Sequence, residues 1–208
     1  MLVIAIAKGR FLKPSLDLLG RAGVRFDEDV ASSRKLICDS EDLAFRAILV
    51  KPVDIPTYVE YGAADIGIVG RDVLAESRAD LLQPLDLGFG HCRIAVAAPK
   101  GFRNADETDH PTIRVATKYP SITLEYFNAR GIPVEIIPLS GSIELAPLIG
   151  LADRIVDLVE TGETLKENGM EIVDVIAESA AHLVINRASY QTKRSEIVGM
   201  VESLEALV

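Results

Sequence analysis

The segment 157–165 holds the densest set of groups that could bind an anion and a sugar. A predicted strand delivers two carboxylates, Asp157 and Glu160, and a Thr-Gly-x-Thr turn then leads into a predicted helix. The turn consists of Thr161, Gly162, Glu163 and Thr164. Backbone N–H groups and hydroxyls converge in such a turn, and the helix dipole favours an anion there. The two carboxylates could bind ribose hydroxyls, or hold a magnesium ion together with substrate phosphates. The alternative is an ordinary strand-to-helix turn in which one threonine caps the helix.

A second turn, at residues 140–147, repeats this arrangement. Small residues (Ser140, Gly141 and Ser142) allow a close approach of the backbone, and Glu144 could orient a ribose. The alternative is a capping motif, because acidic residues stabilise the start of a helix in any case.

Basic residues cluster near predicted turns in the first quarter of the chain. They are Lys8 and Arg10, Arg34 and Lys35, and Arg46 and Lys51. The formal net charge is −9, which argues against non-specific binding to nucleic acid. An acidic protein can still carry a locally positive pocket, so these residues are candidates for binding an anionic substrate. The alternative is that each is a solvated surface charge.

Composition favours a cytoplasmic, globular protein of one large or two small domains. The chain has 208 residues, 49% of them hydrophobic and 25% charged. Its apolar start is too short for a signal peptide, and no stretch approaches the roughly 20 apolar residues of a membrane span. Cys38 and Cys92 lack metal-ligand spacing and are expected to be reduced thiols. The three histidines (His91, His110 and His182) are scattered, so we expect structural or surface roles for them.

Short apolar runs alternate with segments of helical periodicity, which predicts parallel α/β sheets. Strands are predicted at 3–7, 34–38, 47–50, 66–70, 92–98, 114–117, 134–138, 154–159, 174–177 and 181–186. Helices are predicted from Phe11 to the glycines at 20–23, at 55–61 with Asp54 as N-cap, from Asp72, at 122–129, at 143–150, after Thr164 and at 192–207. We expect two α/β lobes, residues 1–90 with 179–208 and residues 91–178, which the chain connects twice. A cleft between two such lobes is a natural ligand site.

Several motifs in this order closely resemble the ATP phosphoribosyltransferase family, over nearly the whole chain. They are Lys8-Gly9-Arg10, the segment 54–62 with 64–70, Thr117-Lys118-Tyr119-Pro120, and the stretch 141–169. The resemblance is to the short form, which lacks the C-terminal histidine-sensing domain. It implies transfer of the 5-phosphoribosyl group of phosphoribosyl pyrophosphate to N1 of ATP, the first step of histidine biosynthesis, with Mg²⁺.

The resemblance also implies roles for individual residues. Those expected to bind phosphoribosyl pyrophosphate are Glu144, Asp157, Glu160, Thr161, Gly162, Glu163 and Thr164. Those expected to bind ATP or pyrophosphate are Lys8, Arg10, Arg34, Lys51, Lys118 and Tyr119. Lys8 and Arg10 are the expected catalytic residues, and Asp157 and Glu160 the expected magnesium ligands, largely through substrate phosphates. The implied partner is a regulatory subunit similar to a histidyl-tRNA synthetase, bound to a homodimer within a hetero-oligomer.

Two other functions remain open on the sequence. Two α/β lobes with two connections and the pattern Gly-Ala-Ala-Asp-Ile-Gly-Ile, at 62–68, are shared with solute-binding proteins of the type II periplasmic-binding fold. Fold alone does not decide function. A type I phosphoribosyltransferase acting on a free base is the second, but its loop usually has adjacent acidic residues. Here Leu158 and Val159 separate Asp157 from Glu160.

Overall fold

The computed structural model describes residues 1–26, 30, 35–101 and 112–208, and the chain divides into two compact units. Unit 1 comprises Met1–Gly90 and Ala180–Val208, and unit 2 comprises His91–Ser179. The predicted lobes placed the second connection one residue earlier, between Glu178 and Ser179. In the described parts of the chain, no helix has both the length and the apolar character needed to cross a bilayer.

Unit 1 is built on a six-stranded sheet with the order β2-β3-β1-β4-β11-β5. Its strands are β1 (Leu2–Ala7), β2 (Ile37–Asp39), β3 (Phe45–Val50), β4 (Ile66–Gly70), β5 (Leu82–Asp86) and β11 (Ala181–Ile185). The central strand β1 pairs in parallel with β3 and with β4. The other pairings, of β2 with β3 and of β11 with β4 and β5, are antiparallel. Every residue of β4 is buried, as expected for a strand covered on both faces.

Helices cover the sheet of unit 1. They are α1 (Leu12–Arg21), α2 (Ile55–Glu60), α3 (Arg71–Ser77), α7 (Arg187–Thr192) and α8 (Arg194–Glu205), with a 3₁₀ turn at Pro52–Asp54. Helix α2 lies directly on β4 at Gly67. A methyl group there would come within 2.8 Å of Val59 and 2.9 Å of Ile55, so the close packing requires glycine.

The C-terminal segment is tied to the rest of unit 1 through Asn186. Its side-chain oxygen accepts a hydrogen bond from Ser189 N at 2.8 Å, which caps α7. Its amide nitrogen donates to the carbonyls of Val59 at 2.8 Å and Glu60 at 3.0 Å, at the end of α2. One side chain thus satisfies backbone groups at the ends of two helices.

Unit 2 is built on a five-stranded sheet with the order β10-β6-β9-β7-β8. Its strands are β6 (Cys92–Pro99), β7 (Ile113–Thr117), β8 (Val134–Pro138), β9 (Arg154–Val159) and β10 (Met170–Ser179). Strand β7 is parallel to β8 and β9, whereas β6 is antiparallel to β9 and β10. The helices are α4 (Pro120–Asn128), α5 (Leu145–Leu148) and α6 (Glu163–Glu167).

Both faces of the unit 2 sheet are covered by apolar side chains. Along β6, Ala95 and Ala97 belong to one buried cluster, and Ile94 and Val96 belong to another. Alternate residues of a strand point to opposite faces, so each cluster covers one face of the sheet. The two clusters hold the strands of the sheet in place, and with them the turns that follow the strands.

The structure corrects several predicted elements. Both sheets are mixed rather than parallel, because β2, β5, β6, β10 and β11 run antiparallel to their neighbours. The predicted helix at 192–207 corresponds to α8, which begins at Arg194 because the φ of −127° at Lys193 is not helical, and the preceding helix α7 was not predicted. Helix α5 has four residues instead of the eight predicted, and Asp54 precedes α2 without a side-chain capping bond.

Candidate functional site

Three predicted site segments of unit 2 follow strands that run in the same direction. Strands β7, β8 and β9 are parallel, and Thr117 at the end of β7 is opposite Pro138 in β8 and Val156 in β9. The residues that follow these strands therefore emerge at one edge of the sheet, which we call the carboxyl edge of unit 2. Ligands of open α/β sheets bind outside the carboxyl ends of the strands.

The turn after β9 depends on a left-handed glycine. Gly162 has φ +82° and occupies the N-cap position of α6, with no side-chain capping bond. The capping alternative for Thr161 and Thr164 is therefore not supported. Among the residues that the structure describes, the hydroxyl of Thr161 accepts one hydrogen bond, from Glu163 N at the long distance of 3.4 Å. Thr161, Glu163 and Thr164 are exposed, so the polar groups of the turn are accessible to a ligand.

The carboxylate of Asp157 is held through one of its two oxygens. Its Oδ1 atom lies 2.8 Å from the Lys118 ammonium and accepts a bond from Leu158 N at 2.7 Å. The side chain of Asp157 is 15% exposed and that of Lys118 is 37% exposed. Among the described residues, Oδ2 of Asp157 accepts no hydrogen bond. The structure thus joins two predicted site residues from neighbouring strands, whereas Glu160, farther along the chain, is exposed.

Thr117 is a residue of this edge that the sequence prediction missed. Its hydroxyl donates to Val156 O at 2.7 Å and accepts from Tyr119 N at 2.9 Å. It is fully buried, and Thr123 Oγ1 lies 3.3 Å from its hydroxyl oxygen. The sequence could have indicated Thr117, because it is the last residue of an apolar strand and directly precedes the predicted site residue Lys118.

Tyr119 lies in the core of unit 2 and is 5% exposed. The ammonium of Lys118 is 5.4 Å from the centre of its ring, within the range of a cation–π contact. Tyr119 therefore contacts Lys118 through its ring, and its predicted contact with a nucleotide stays a prediction.

The turn after β8 contains a second unusual backbone conformation. Ser142 has φ +49°, in the left-handed region that disfavours residues other than glycine. Glu144 occupies the N-cap position of α5 but makes no capping bond, and no described residue pairs with its carboxylate. Glu144 thus lies at the start of a helix, as the capping alternative requires, but it makes no side-chain capping bond, and it is half-buried beside an exposed turn.

Two predicted lysines emerge together at the corresponding edge of unit 1, which we call the carboxyl edge of unit 1. Ala7 and Val50, the last residues of the parallel strands β1 and β3, are paired. Lys8 and Lys51 directly follow them, and Lys8 N donates to Val50 O at 2.9 Å. Neither lysine side chain has a carboxylate partner among the described residues, so both charges are available to an anion.

Two arginines lie at the same edge. Arg10 follows Gly9, which has φ +92°, and its guanidinium is 5.0 Å from the centre of the Phe11 ring. Arg71 was not among the predicted site residues. It directly follows β4, which is parallel to β1, and it is exposed. The sequence did not point to Arg71, because it resembles the first residue of an ordinary helix. Its position at this edge became evident only from the parallel pairing of β4 with β1.

Two of the residues with predicted roles are not among those that the structure describes. Arg34 and His110 lie outside the described residues. The two other histidines agree with their predicted structural or surface positions. His91 is exposed, and His182 in β11 lies 3.3 Å from Ala180 O.

The predicted magnesium ligands do not form a cage for a metal on their own. Among the described residues, no group of three or more histidine, cysteine, aspartate or glutamate side chains could hold an ion. Asp157 already forms an ion pair with the Lys118 ammonium. The donor set therefore does not fit a resident metal ion bound by the protein alone.

Comparison of the whole chain with known proteins gives a consistent result. The model of the HisG family, described as ATP phosphoribosyltransferase, matches residues 51–206. The ATP phosphoribosyltransferase of Geobacter metallireducens is 52% identical over 205 residues, which cover 98% of this chain and 97% of that protein. That of Syntrophotalea carbinolica is 48% identical over 208 residues, covering 100% of this chain and 95% of that protein.

Solved structures agree with the family match and extend the fold comparison. The ATP phosphoribosyl transferase (HisG:HisZ) complex from Thermotoga maritima matches with a TM-score of 0.86 and 40% identity, covering 99% of this chain and 98% of that chain. The periplasmic VFT2 domain of Bordetella pertussis BvgS matches with a TM-score of 0.60 at 14% identity, covering 99% and 86%. The second match concerns the fold alone, and it confirms the predicted type II periplasmic-binding fold class.

Proposed function

The chain belongs to the ATP phosphoribosyltransferase family, and we propose that it transfers the 5-phosphoribosyl group of phosphoribosyl pyrophosphate to N1 of ATP. The products are N1-(5-phosphoribosyl)-ATP and pyrophosphate, and the reaction is the first step of histidine biosynthesis. The observation that carries the proposal is the carboxyl edge of unit 2. Asp157 and the turns at 140–144 and 160–164 offer a sugar phosphate both hydroxyl acceptors and an anion-binding backbone at the ends of three parallel strands.

In this assignment, the turn Glu160–Thr164 cradles the 5-phosphate. Gly162 allows the left-handed turn, and the exposed hydroxyls of Thr161 and Thr164 are available to phosphate oxygens. Asp157 and Glu144 bind the ribose hydroxyls through carboxylate oxygens that have no described partner.

The cations at the carboxyl edge of unit 1 bind the triphosphate of ATP or the pyrophosphate. Lys8, Arg10 and Lys51 supply fixed positive charge, and Arg34 belongs to the same predicted set. During transfer, the bond from C1 of the ribose to the pyrophosphate oxygen breaks and a bond from N1 of adenine to C1 forms, with inversion. Negative charge grows on the leaving pyrophosphate, so positioned cations lower the barrier without a protein nucleophile.

The divalent metal of the reaction is proposed to be Mg²⁺, bound mainly by substrate phosphates. Mg²⁺ keeps several waters and usually binds through one or two carboxylates together with phosphates, which agrees with the absence of a cage among the described residues. Since the family's reaction belongs to amino-acid biosynthesis, we propose that the protein works in the cytoplasm.

A HisZ-type regulatory subunit, similar to a histidyl-tRNA synthetase, is the proposed partner. The support is the 40% identical structure from Thermotoga maritima, which is a HisG:HisZ complex. We propose a homodimer of this chain within the hetero-oligomer. Light scattering of the isolated chain, and of a mixture with the candidate partner, tests this. A monomer with no change in mass on mixing would refute it.

The second candidate function is solute binding, which the fold match to the BvgS domain favours. Pyrophosphate release discriminates between the two functions. The purified chain is incubated with ATP, phosphoribosyl pyrophosphate and Mg²⁺, with and without the partner. Release that requires both substrates supports the transferase, whereas a folded protein that releases none under either condition supports the binding protein.

Arg10→Ala tests the assignment of the unit 1 edge. We expect a fall in turnover of roughly 100-fold or more with an unchanged circular dichroism spectrum, because a fixed charge near the leaving group is lost. The matched control is Lys13→Ala, an exposed cation in α1. Near-normal turnover of Arg10→Ala would remove Arg10 from the site.

A further inference from the structure

Lys118 was predicted to bind ATP or pyrophosphate, but its ammonium contacts two side chains of unit 2 instead of being free for a phosphate. Its ammonium is 2.8 Å from Asp157 Oδ1 and 5.4 Å from the centre of the Tyr119 ring. We propose that Lys118 is a positioning residue for the phosphoribosyl side of the site. It holds Asp157 through Oδ1, so that Oδ2 accepts a hydrogen bond from the ribose 2-hydroxyl. The inference rests on the proposed function and goes beyond it, because it assigns the basis for selecting ribose over deoxyribose.

The geometry around Asp157 supports this role. Both described donors, Lys118 Nζ and Leu158 N, contact Oδ1, and Oδ2 accepts no described hydrogen bond. A carboxylate fixed through one oxygen has a defined direction for the other, so little side-chain entropy is lost when a ligand hydroxyl binds. The side chain of Asp157 is 15% exposed, so the Lys118 ammonium pairs with a carboxylate that water reaches little.

Thr117 holds this pair from the core. Its hydroxyl bonds Val156 O, one residue before Asp157, and Tyr119 N, one residue after Lys118. The backbone on both sides of the pair is thereby connected by a single buried hydroxyl. Replacement by valine would leave buried partners unsatisfied, whereas serine would retain the hydroxyl.

The same two strands offer a matched control. At the opposite end of β7, Arg114 NH2 is 2.8 Å from Oδ1 of Asp153, which directly precedes β9. The Arg114–Asp153 pair therefore joins the same strands as Lys118–Asp157 but lies away from the carboxyl edge. Arg114→Met removes an ion pair between β7 and β9 without touching the proposed ribose contact.

The test measures binding of ribose 5-phosphate and of 2-deoxyribose 5-phosphate to the full chain by calorimetry. Wild type should prefer ribose 5-phosphate by roughly 10-fold or more, the size expected for a hydrogen bond to a charged group. Asp157→Asn and Lys118→Met should bring this preference close to one. Lys118→Arg should retain most of it, and Arg114→Met all of it. A wild type without preference, or an unchanged preference in folded Lys118→Met, would overturn the proposal.

Kinetics and metal binding supply two further readouts. Lys118→Met should raise the KM for phosphoribosyl pyrophosphate about tenfold and leave the KM for ATP unchanged; the reverse pattern would make Lys118 a nucleotide ligand. Thr117→Val should act in the same direction, with rescue by Thr117→Ser. Mn²⁺ alone should show no bound signal in electron paramagnetic resonance. Binding to wild type that Asp157→Asn abolishes would make Asp157 a metal ligand and overturn the proposal.

The proposed function is tested separately by pyrophosphate release from wild type. Release together with an unchanged ribose preference in Lys118→Met overturns this inference and leaves the transferase in place. If wild type prefers ribose 5-phosphate and this preference depends on Lys118, but no pyrophosphate is released, the proposed ribose site stands and the transferase function is refuted.

Discussion

The carboxylate of Asp65, directly before β4, accepts a hydrogen bond from the Lys193 ammonium at 2.7 Å, across 128 residues of chain. The same carboxylate accepts bonds from Ser189 Oγ at 2.7 Å and from Val3 N at 2.8 Å. Burial by itself would raise the pKa of Asp65, but the Lys193, Val3 and Ser189 donors outweigh it and hold the pKa below its ordinary value. This residue joins β1, β4 and the C-terminal helices of unit 1.

Asp65→Asn should lower the free energy of unfolding by about 2–4 kcal/mol near neutral pH, because it leaves a partly buried ammonium without its anion. Since the folded pKa lies below the unfolded one, the carboxylate stabilises the fold above its ordinary pKa of 3.8. This contribution is lost as the pH falls further, so the variant should show a weaker acid dependence than wild type. Urea unfolding between pH 7 and 3 measures both effects. Asp39→Asn, at an exposed ion pair with Arg46, is the control and should change stability little.

Gly67→Ala should destabilise unit 1 by about 1–3 kcal/mol, because a methyl group would overlap the side chains of α2. The nearest atoms would be Val59 Cγ2 at 2.8 Å and Ile55 Cγ2 at 2.9 Å. The control is Gly199→Ala in α8, where nothing lies within 4 Å of the added methyl group. Alanine favours a helix over glycine by about 1 kcal/mol, so this change should stabilise the protein. Equal effects of the two changes in thermal unfolding would contradict the predicted packing.

Gly162→Ala should impair substrate binding more than stability. The added methyl group has room, with Val159 Cγ1 at 3.7 Å, but φ +82° costs any other residue about 1–2 kcal/mol. The turn would relax toward negative φ and move its N–H groups away from the proposed phosphate position. We expect a rise of roughly 10-fold in the KM for phosphoribosyl pyrophosphate. Gly131→Ala is the control, because it has φ +68° with nothing within 4 Å of the added methyl group, and it lies before β8, away from the carboxyl edge; it should cost similar stability and leave this KM unchanged. Equal effects on this KM would contradict the argument.

Arg71→Ala should weaken binding of one anionic substrate severalfold, because Arg71 follows β4 at the edge that carries Lys8 and Lys51. The effect on KM should shrink as salt rises, since exposed charges are screened. Lys13→Ala in α1 is the control for general loss of positive charge. A KM that is unchanged at low salt would exclude Arg71 from the site.

Tyr126 should titrate well above the ordinary pKa of a tyrosine. Burial, followed by the hydrogen bond that its hydroxyl donates to Asp174, raises the pKa of Tyr126 to about 12. The neutral phenol therefore stabilises the fold fully below pH 10, and this contribution is lost as the pH rises through 12. Absorbance at alkaline pH should show a tyrosine component that titrates near pH 12, and Tyr126→Phe should remove that component. An unchanged late component in Tyr126→Phe would contradict this assignment.

The sequence alone predicted several strands from short runs rich in apolar and β-branched residues. The predicted strands at 66–70, 134–138 and 154–159 have the bounds observed for β4, β8 and β9. Strand β5 was missed because Gln83, Pro84 and Asp86 interrupt its apolar pattern, and its stability comes from pairing with β11. The direction of each strand depends on pairings between distant segments, so alternation with helices wrongly predicted parallel sheets.

The types of the candidate site residues were readable from local chemistry, and the ordered motifs identified the family. Sequence spacing could not show which of them meet. Lys118 and Asp157 are 39 residues apart in the numbering and become neighbours only because β7 and β9 pair in parallel. Arg71 was missed for the same reason, and Thr117 because a buried hydroxyl resembles an ordinary strand residue. Local sequence determines which polar groups a turn can present to a ligand. The strand order determines which turns lie at the same edge of a sheet, because strands pair through hydrogen bonds between segments that are distant in sequence.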